Sequence, residues 1–377
     1  MPSTELRINV LTEARQIVVK LGTQLLRDRT PGARGLDQAY LREIASQVAT
    51  LRRGGREVAV VSSGAIGAGC AELGLDAKPV DLSEQQAVAA IGQRRLMTHM
   101  HDAFAEQGLA VGQVLVTRTD FDDRDRFLNI RNCITKLHEM GAVAILNEND
   151  AVAVDELRFG DNDLLAAMTC HALRAQALVL LSVVDGLLDA DGHAVDLVDD
   201  MQGYLSFARQ DKSRWGSGGI LSKLDAARLV MEAGEIAVIA NGRTPDVLTR
   251  LFAGEKIGTI FMPGKRRLDS RRRWIGLTVR PQGTLTINAG AAAALREQGK
   301  SLLAVGVVEM TGQFKRGDVL LVRDATGKEV ARGLSNYDAN ELRLIMGKHS
   351  EQFESILGHD AYDTVIHRDH LLVKGNG

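Results

Sequence analysis

Aromatic side chains are scarce in this chain: Phe, Trp and Tyr together make up 4% of its 377 residues. Surfaces that bind single-stranded nucleic acid stack bases on such rings, so there is little material here for that task. An excess of one charge is missing as well. Lys and Arg number 46 against 48 Asp and Glu, a net of -2, which leaves no overall field to recruit nucleic acid or an anionic membrane. Cysteine is limited to Cys70, Cys133 and Cys170, odd in number, far apart and without a CxxC. They read as thiols in a reducing compartment, and neither a disulfide framework nor a metal site is expected. The longest strongly apolar run, 177–184, is far too short to cross a bilayer. Residues 1–16 include Glu5, Arg7, Glu13 and Arg15, leaving no apolar core for a signal peptide. A cytoplasmic protein with no membrane partner is the expectation. Two nucleotide-binding signatures are absent too: there is no GxxxxGK[ST], and no GxGxxG follows a strand, so dinucleotide binding loses its main support.

What is present is a rhythm. The length exceeds what one core usually supports, so two domains are the default. The first two thirds repeat a short apolar strand, a turn of small or polar residues, and an amphipathic helix. Ile17, Val18 and Val19 open the series. Strands follow at 58–61, 110–115, 143–146, 178–181 and 236–240. Leu41, Ile44, Ala45, Val48 and Leu51 form a helical stripe stopped by Gly54 and Gly55, and Ser83 with Gln86 predicts a capping-box start for a helix through Gln107. Strands apolar on both faces and alternating with helices predict an α/β fold, a mostly parallel open sheet sandwiched by helices. The stretch 152–159 alternates more like a hairpin or flap. From about Thr259 the texture changes. Lys265, Arg266, Arg267, Arg271, Arg272 and Arg273 mark a basic linker at 263–273. Residues 274–377 predict a small β-rich barrel, with strands at 283–287, 305–308, 319–322 and 330–334 and a helix at 289–298.

In open α/β sheets ligands bind outside the carboxyl ends of the strands, so those ends are where chemistry is sought. The first strand ends in Lys20 beside Gly22, a cation next to a residue able to bring backbone N–H groups toward an anion. After the second strand come Ser62, Ser63, Gly64, Ala65, Ile66, Gly67, Ala68 and Gly69, small residues that serve a helix start binding carboxylate or phosphate, or serve tight packing, equally well. Asn147, Glu148, Asn149 and Asp150 follow another strand, and Gly160, Asp161, Asn162 and Asp163 open a helix. Such clusters are commonly caps and turns. Two of them at consecutive strand-linked turns suggest a pocket for an ammonium group or a scaffold for lysines. Finally Gly216 to Lys223 places glycines before a helix with Lys223 in its first turn, a phosphate cradle.

These segments, in this order, resemble the amino acid kinase family, and the tail is similar to the PUA domain; together they cover the chain from about Gln16 onward. The resemblance implies a catalytic domain over 1–262 and a PUA-like domain over 274–377. It implies a phosphotransferase with a carboxyl group as acceptor, carrying the ATP γ-phosphoryl group to the γ-carboxylate of L-glutamate as the first step of proline biosynthesis, with Mg²⁺ riding on the nucleotide. By the same likeness Lys20, Lys223 and Asp163 are catalytic, the lysines on the phosphates and Asp163 holding them. Ser63, Gly64, Ala65, Asp150 and Asn162 bind glutamate. Nucleotide contacts fall to Lys20, Ser182, Val183, Ser217, Gly218, Gly219, Ile220, Leu221, Ser222 and Lys223. Many members carry Thr-Asp where this chain has Ser182-Val183, and Asp185 lies close by. A homo-oligomer and a hand-off to γ-glutamyl phosphate reductase are implied as well. Members of the same fold act on aspartate, N-acetylglutamate, carbamate or nucleoside monophosphates; the PUA-like tail and the Asp150 and Asn162 motifs favour glutamate. RNA binding by the tail is disfavoured by its acidic residues and by the low aromatic content.

Overall fold

The computed structural model describes residues 3–30, 35–153, 162–189, 193–201, 219–263, 275–276, 279–359 and 361–374. The chain divides into two compact units, Met1–Arg267 and Leu268–Gly377. In the first, eight strands form one sheet: β1 (Gln16–Leu21), β2 (Glu57–Ser62), β3 (Val111–Val116), β4 (Val143–Glu148), β5 (Ala177–Ser182), β6 (Leu197–Val198), β7 (Ile236–Asn241) and β8 (Thr259–Phe261). Their order is β3-β4-β2-β1-β5-β7-β8-β6. All neighbours run parallel except β7 and β8. The helices of this unit are α1 (Ser3–Thr12), α2 (Thr23–Leu26), α3 (Gln38–Arg53), α4 (Ala65–Leu73), α5 (Leu82–Ala105), α6 (Arg118–Asp122), α7 (Arg124–Glu139), α8 (Asp163–Leu173), α9 (Gly219–Glu232) and α10 (Val247–Phe252).

Strand periodicity sorts the core. Ile17, Val19, Leu21, Val58, Val60, Val143, Ile145, Val179 and Val238 share one buried cluster with Leu41, Ile44 and Val48 of α3, Leu96, Met100 and Phe104 of α5, and Leu248 and Leu251 of α10. Lys20 has the opposite parity, so it lies on the other face, where α8 packs against β1. In register Lys20 sits between Val61 of β2 and Leu180 of β5. Beyond β1 the chain continues to β2 on one side, and beyond β5 to β7 on the other. The crevice between β1 and β5 is therefore a topological switch point, where open α/β sheets hold their ligands.

Three expectations change. Helix α5 starts at Leu82 with Asp81 as its N-cap, whose side chain accepts from the Glu84 backbone N–H at 3.0 Å, so the Ser83–Gln86 box is not the start. Asp81 and Glu84 have the same spacing, and the earlier cap wins. The two-residue β6 and three-residue β8 carry no periodic signal; β8 belongs to this sheet although the texture shifts at Thr259. In the second unit residues 304–306 form a 3₁₀ turn, and the strand expected from 305 runs Val307–Gly312.

That unit has a five-stranded sheet, β10-β9-β11-β12-β13, from β9 (Gly283–Ile287), β10 (Val307–Gly312), β11 (Val319–Asp324), β12 (Glu329–Leu334) and β13 (Leu371–Val373). Only β9 and β11 pair in parallel. Its own core gathers Leu285, Ile287, Leu320, Val322, Val330, Leu342, Phe353 and Ile366, with Leu295 from α11 (Ala289–Gln298). Most of the basic linker, residues 154–159 of the expected flap, Gly160, Asp161, and Ser217 and Gly218 of the cradle lie outside the described residues.

Candidate active site

Lys20, Asp163 and Lys223 come together. Asp163 is the first residue of α8, where the helix dipole favours a carboxylate. Its Oδ1 lies 2.6 Å from Lys20 Nζ and its Oδ2 3.0 Å from Lys223 Nζ. Ser222 Oγ donates to the same Oδ2 at 2.9 Å, and Lys223 Nζ also donates to the Gly219 carbonyl at 3.1 Å. The three charged side chains are 3%, 0% and 6% exposed. Two buried ammonium groups meet on this carboxylate, a concentration of charged donors of the kind that binds anionic oxygens strongly. The arrangement suits the oxygens of a polyphosphate. Lys20 and Lys223 approach from a central strand and from the first turns of α9, two hundred residues later.

A second cluster sits beside it at the ends of β2 and β4. Asn162 Nδ2 donates to the Ser62 carbonyl at 2.6 Å and to Asn147 Oδ1 at 2.7 Å. Asn147 Nδ2 in turn donates to Gln93 Oε1 at 2.6 Å. Ser63 Oγ is buried with no hydrogen-bond partner among the described residues. Gly64 caps α4 with φ +99°, a left-handed conformation natural to glycine, and as the N-cap it brings no side chain to the first-turn donors of that helix. Those helix-start N–H groups, next to a hydroxyl without a partner among the described residues, make a cradle for an anionic group. Asp150 lies in the turn after β4. Burial pushes its carboxyl up to about 6, with Lys78 pulling the other way.

Other expected residues are placed differently. Gly22 does not offer its N–H to a ligand: it donates to the Leu181 carbonyl at 3.1 Å and continues the pairing of β1 with β5. Gly69 serves helix packing, since a Cβ there would meet the Val88 carbonyl oxygen at 1.9 Å. Gly92 of α5 is its counterpart, with a Cβ falling 1.9 Å from the Ala65 carbonyl oxygen. Ser182 ends β5, and its carbonyl accepts from the Gly242 N–H at 2.8 Å. Val183 packs against the main core, so the acidic side chain common at that position has no counterpart in it. Asp185 is tied to Asn241 Nδ2 at 2.8 Å. Gly219, Ile220 and Leu221 form the first turn of α9, with Ile220 buried. Sequence reasoning missed Gln93. Its one signal was Gly92 beside it, a glycine inside a long helix, which marks close backbone approach.

Comparison with known proteins agrees with this layout. The amino acid kinase family matches residues 15–241, and the PUA domain matches 283–357. Glutamate 5-kinase of Geobacter sulfurreducens is 42% identical over 98% of this chain and 100% of its own length. That of Chromohalobacter salexigens is 43% identical over 97% of each chain, and that of Delftia acidovorans 42% identical over 98% and 99%. Carbamate kinase from Giardia lamblia bound to AMP-PNP covers 67% of this chain at 16% identity with a TM-score of 0.48, a likeness that carries no inference. With a family match across the first unit and full-length relatives above 40% identity, the chain belongs to the amino acid kinase family, among the PUA-bearing glutamate 5-kinases.

Proposed function

We propose that the protein phosphorylates the γ-carboxylate of L-glutamate at the expense of ATP, giving γ-glutamyl phosphate for proline biosynthesis. The observation that carries this reading is the buried meeting of Lys20 and Lys223 on Asp163. A carboxylate is ionised at pH 7, so the nucleophile needs no general base, and the work left to the protein is positioning and charge screening. ATP, bound with Mg²⁺, supplies the phosphoryl group. Lys20 and Lys223 hold phosphate oxygens, Lys223 nearest the transferring group, and Asp163 fixes both amines. Gly219 to Lys223, with Ser217 and Gly218 before them, Ser182 at the end of β5 and Val183 just after it, contribute to the nucleotide site. Ser63, the backbone at Gly64 and Ala65, and Asn162 orient glutamate, and Asp150 pairs with its ammonium group.

We assign residues 1–262 to catalysis, 263–273 to a connector and 274–377 to the accessory PUA-like unit. We extend the reading to a cytoplasmic homo-oligomer that passes its reactive acyl phosphate to γ-glutamyl phosphate reductase, with no part for RNA. Among the described residues no helix is long and apolar enough to cross a membrane. A hydroxylamine trap tests the substrate: with ATP and Mg²⁺ the protein yields hydroxamate from L-glutamate and not from aspartate, N-acetylglutamate or carbamate. Hydroxamate from aspartate at an equal rate, or none from glutamate, refutes the assignment.

A further inference from the structure

The amide chain behind Asn162 has a direction, and that direction ends on a residue of α5 outside every motif. The Glu148 backbone N–H can only donate, so the Asn147 atom it meets at 2.9 Å is Oδ1. Asn147 Nδ2 therefore faces Gln93, and the Gln93 atom receiving it is Oε1. The Ser62 carbonyl can only accept, which turns Asn162 Nδ2 toward it. Two backbone groups thus fix the orientation of all three side-chain amides.

The two ends of this chain differ in character. Asn162 retains its carbonyl Oδ1, an acceptor. Gln93 retains Nε2, a donor, which is buried and has no hydrogen-bond partner among the described residues. The close crossing of α4 and α5 at Gly69 and Gly92 brings Gly92, the residue before Gln93, up to Ala65, two residues after Ser63. Leaving a buried donor unmade is costly, so its retention points to an occupant that accepts hydrogen bonds. We propose that Gln93 is a specificity-determining residue that donates from Nε2 to a carboxylate oxygen of the acceptor amino acid. This rests on the glutamate reading above and adds to it a contact that tells a carboxylate from an amide, because an amide N–H₂ turned toward Gln93 would set donor against donor.

Gln93→Glu is the sharpest test, because it keeps an Oε1 acceptor for Asn147 while replacing the donor by a carboxylate oxygen. Calorimetric titration with L-glutamate in the absence of nucleotide is expected to show binding weakened about 10- to 100-fold, as for a lost hydrogen bond to a charged group. KM for ATP should stay within about twofold of wild type. Gln93→Met, uncharged and of matching size, carries the same expectation and guards against misfolding of Gln93→Glu, which thermal melts will reveal. Unchanged glutamate affinity in a folded variant overturns the proposal. So does a pattern in which Gln93→Met weakens glutamate and Gln93→Glu does not, since Gln93 would then act only by holding Asn147. Wild type serves as the control: if it makes no hydroxamate from glutamate, the substrate assignment itself fails, whatever the variants do.

Discussion

The two ends of the eight-stranded sheet are built from similar polar residues and use them in opposite ways. At the amino ends, most of these side chains meet main-chain groups, although Gln16 Nε2 also donates to Glu57 Oε2 at 2.7 Å. Gln176 Oε1 accepts the Arg15 and Gln16 N–H groups at 2.8 Å each, Arg56 donates to the Ala14 and Thr12 carbonyls at 3.2 and 3.0 Å, and Arg52 donates to the Ala142 carbonyl at 3.1 Å. These contacts satisfy backbone groups where strands and loops begin, which is a structural task. At the carboxyl ends, side chains chiefly meet one another: Asp163 with two lysines and Ser222, Asn162 with Asn147, and Asn147 with Gln93. There the buried Ser63 hydroxyl and the Nε2 group of Gln93 remain without partners among the described residues. Parallel strands gather the starts of α4 and α8 at this one edge, so anion-binding donors collect on one side of the sheet only. Polar residues alone do not mark a site; polar residues satisfied by each other, with donors to spare, do.

Substitution at the carboxyl end should change chemistry, and the largest effect is expected at Lys223. Lys223→Ala should lower kcat about 100- to 1000-fold, as for removal of one preorganised stabilising group, while calorimetric glutamate binding persists. An unimpaired kcat would remove Lys223 from the reaction and erase the contrast between the two ends. Asp150 comes next. Asp150→Asn should raise the glutamate KM about 10- to 100-fold through loss of a charged hydrogen bond, with the ATP KM unchanged. In wild type the glutamate KM should climb as pH falls through about 6, where the Asp150 carboxyl takes up its proton, and the variant should lack that rise. Stability moves the other way. Because burial raises this carboxyl, its contribution is full below the unfolded value and is lost as pH rises through about 6. Asp150→Asn should therefore be more stable than wild type at pH 8, by on the order of 1 kcal/mol after allowing for partial exposure, as read from urea melts.

Much of this contrast was legible in the sequence, for physical reasons. The alternation of apolar strands and amphipathic helices reports a parallel sheet, and a parallel sheet sends every loop of interest to its carboxyl edge. Lys20 differs in parity from Val19, so the side of the sheet it faces could be read from the strand. What could not be read depends on packing between distant segments. Gln93 matters because α4 and α5 approach at Gly69 and Gly92, and neither glycine announces its partner. Gly22 looked like a donor for a ligand, yet its N–H pairs with Leu181 across the sheet. That Val183 packs against the core could not be read until β5 was placed. The strands β6 and β8 are too short for any periodicity to show.

The smallest expected effect, and the one that probes the amino end, concerns His138. This imidazole is buried on α7, with Nδ1 3.5 Å from Glu57 Oε2. Burial lowers its pKa, with Glu57 opposing and Arg52 reinforcing the shift. A depressed histidine means that the unfolded chain binds the proton more readily than the native one. Its contribution to stability is therefore full above the unfolded value of about 6.5 and declines as pH falls below it. His138→Gln removes the titration, so the loss of stability between pH 7.5 and pH 5 in urea melts should shrink. The kcat and both KM values should remain those of wild type, because the amino end satisfies backbone and touches no substrate. A glutamate KM that moved with His138→Gln would show the two ends to be coupled through β2 and β4, and the division of labour across the sheet would fail at the point where it is most economical to check.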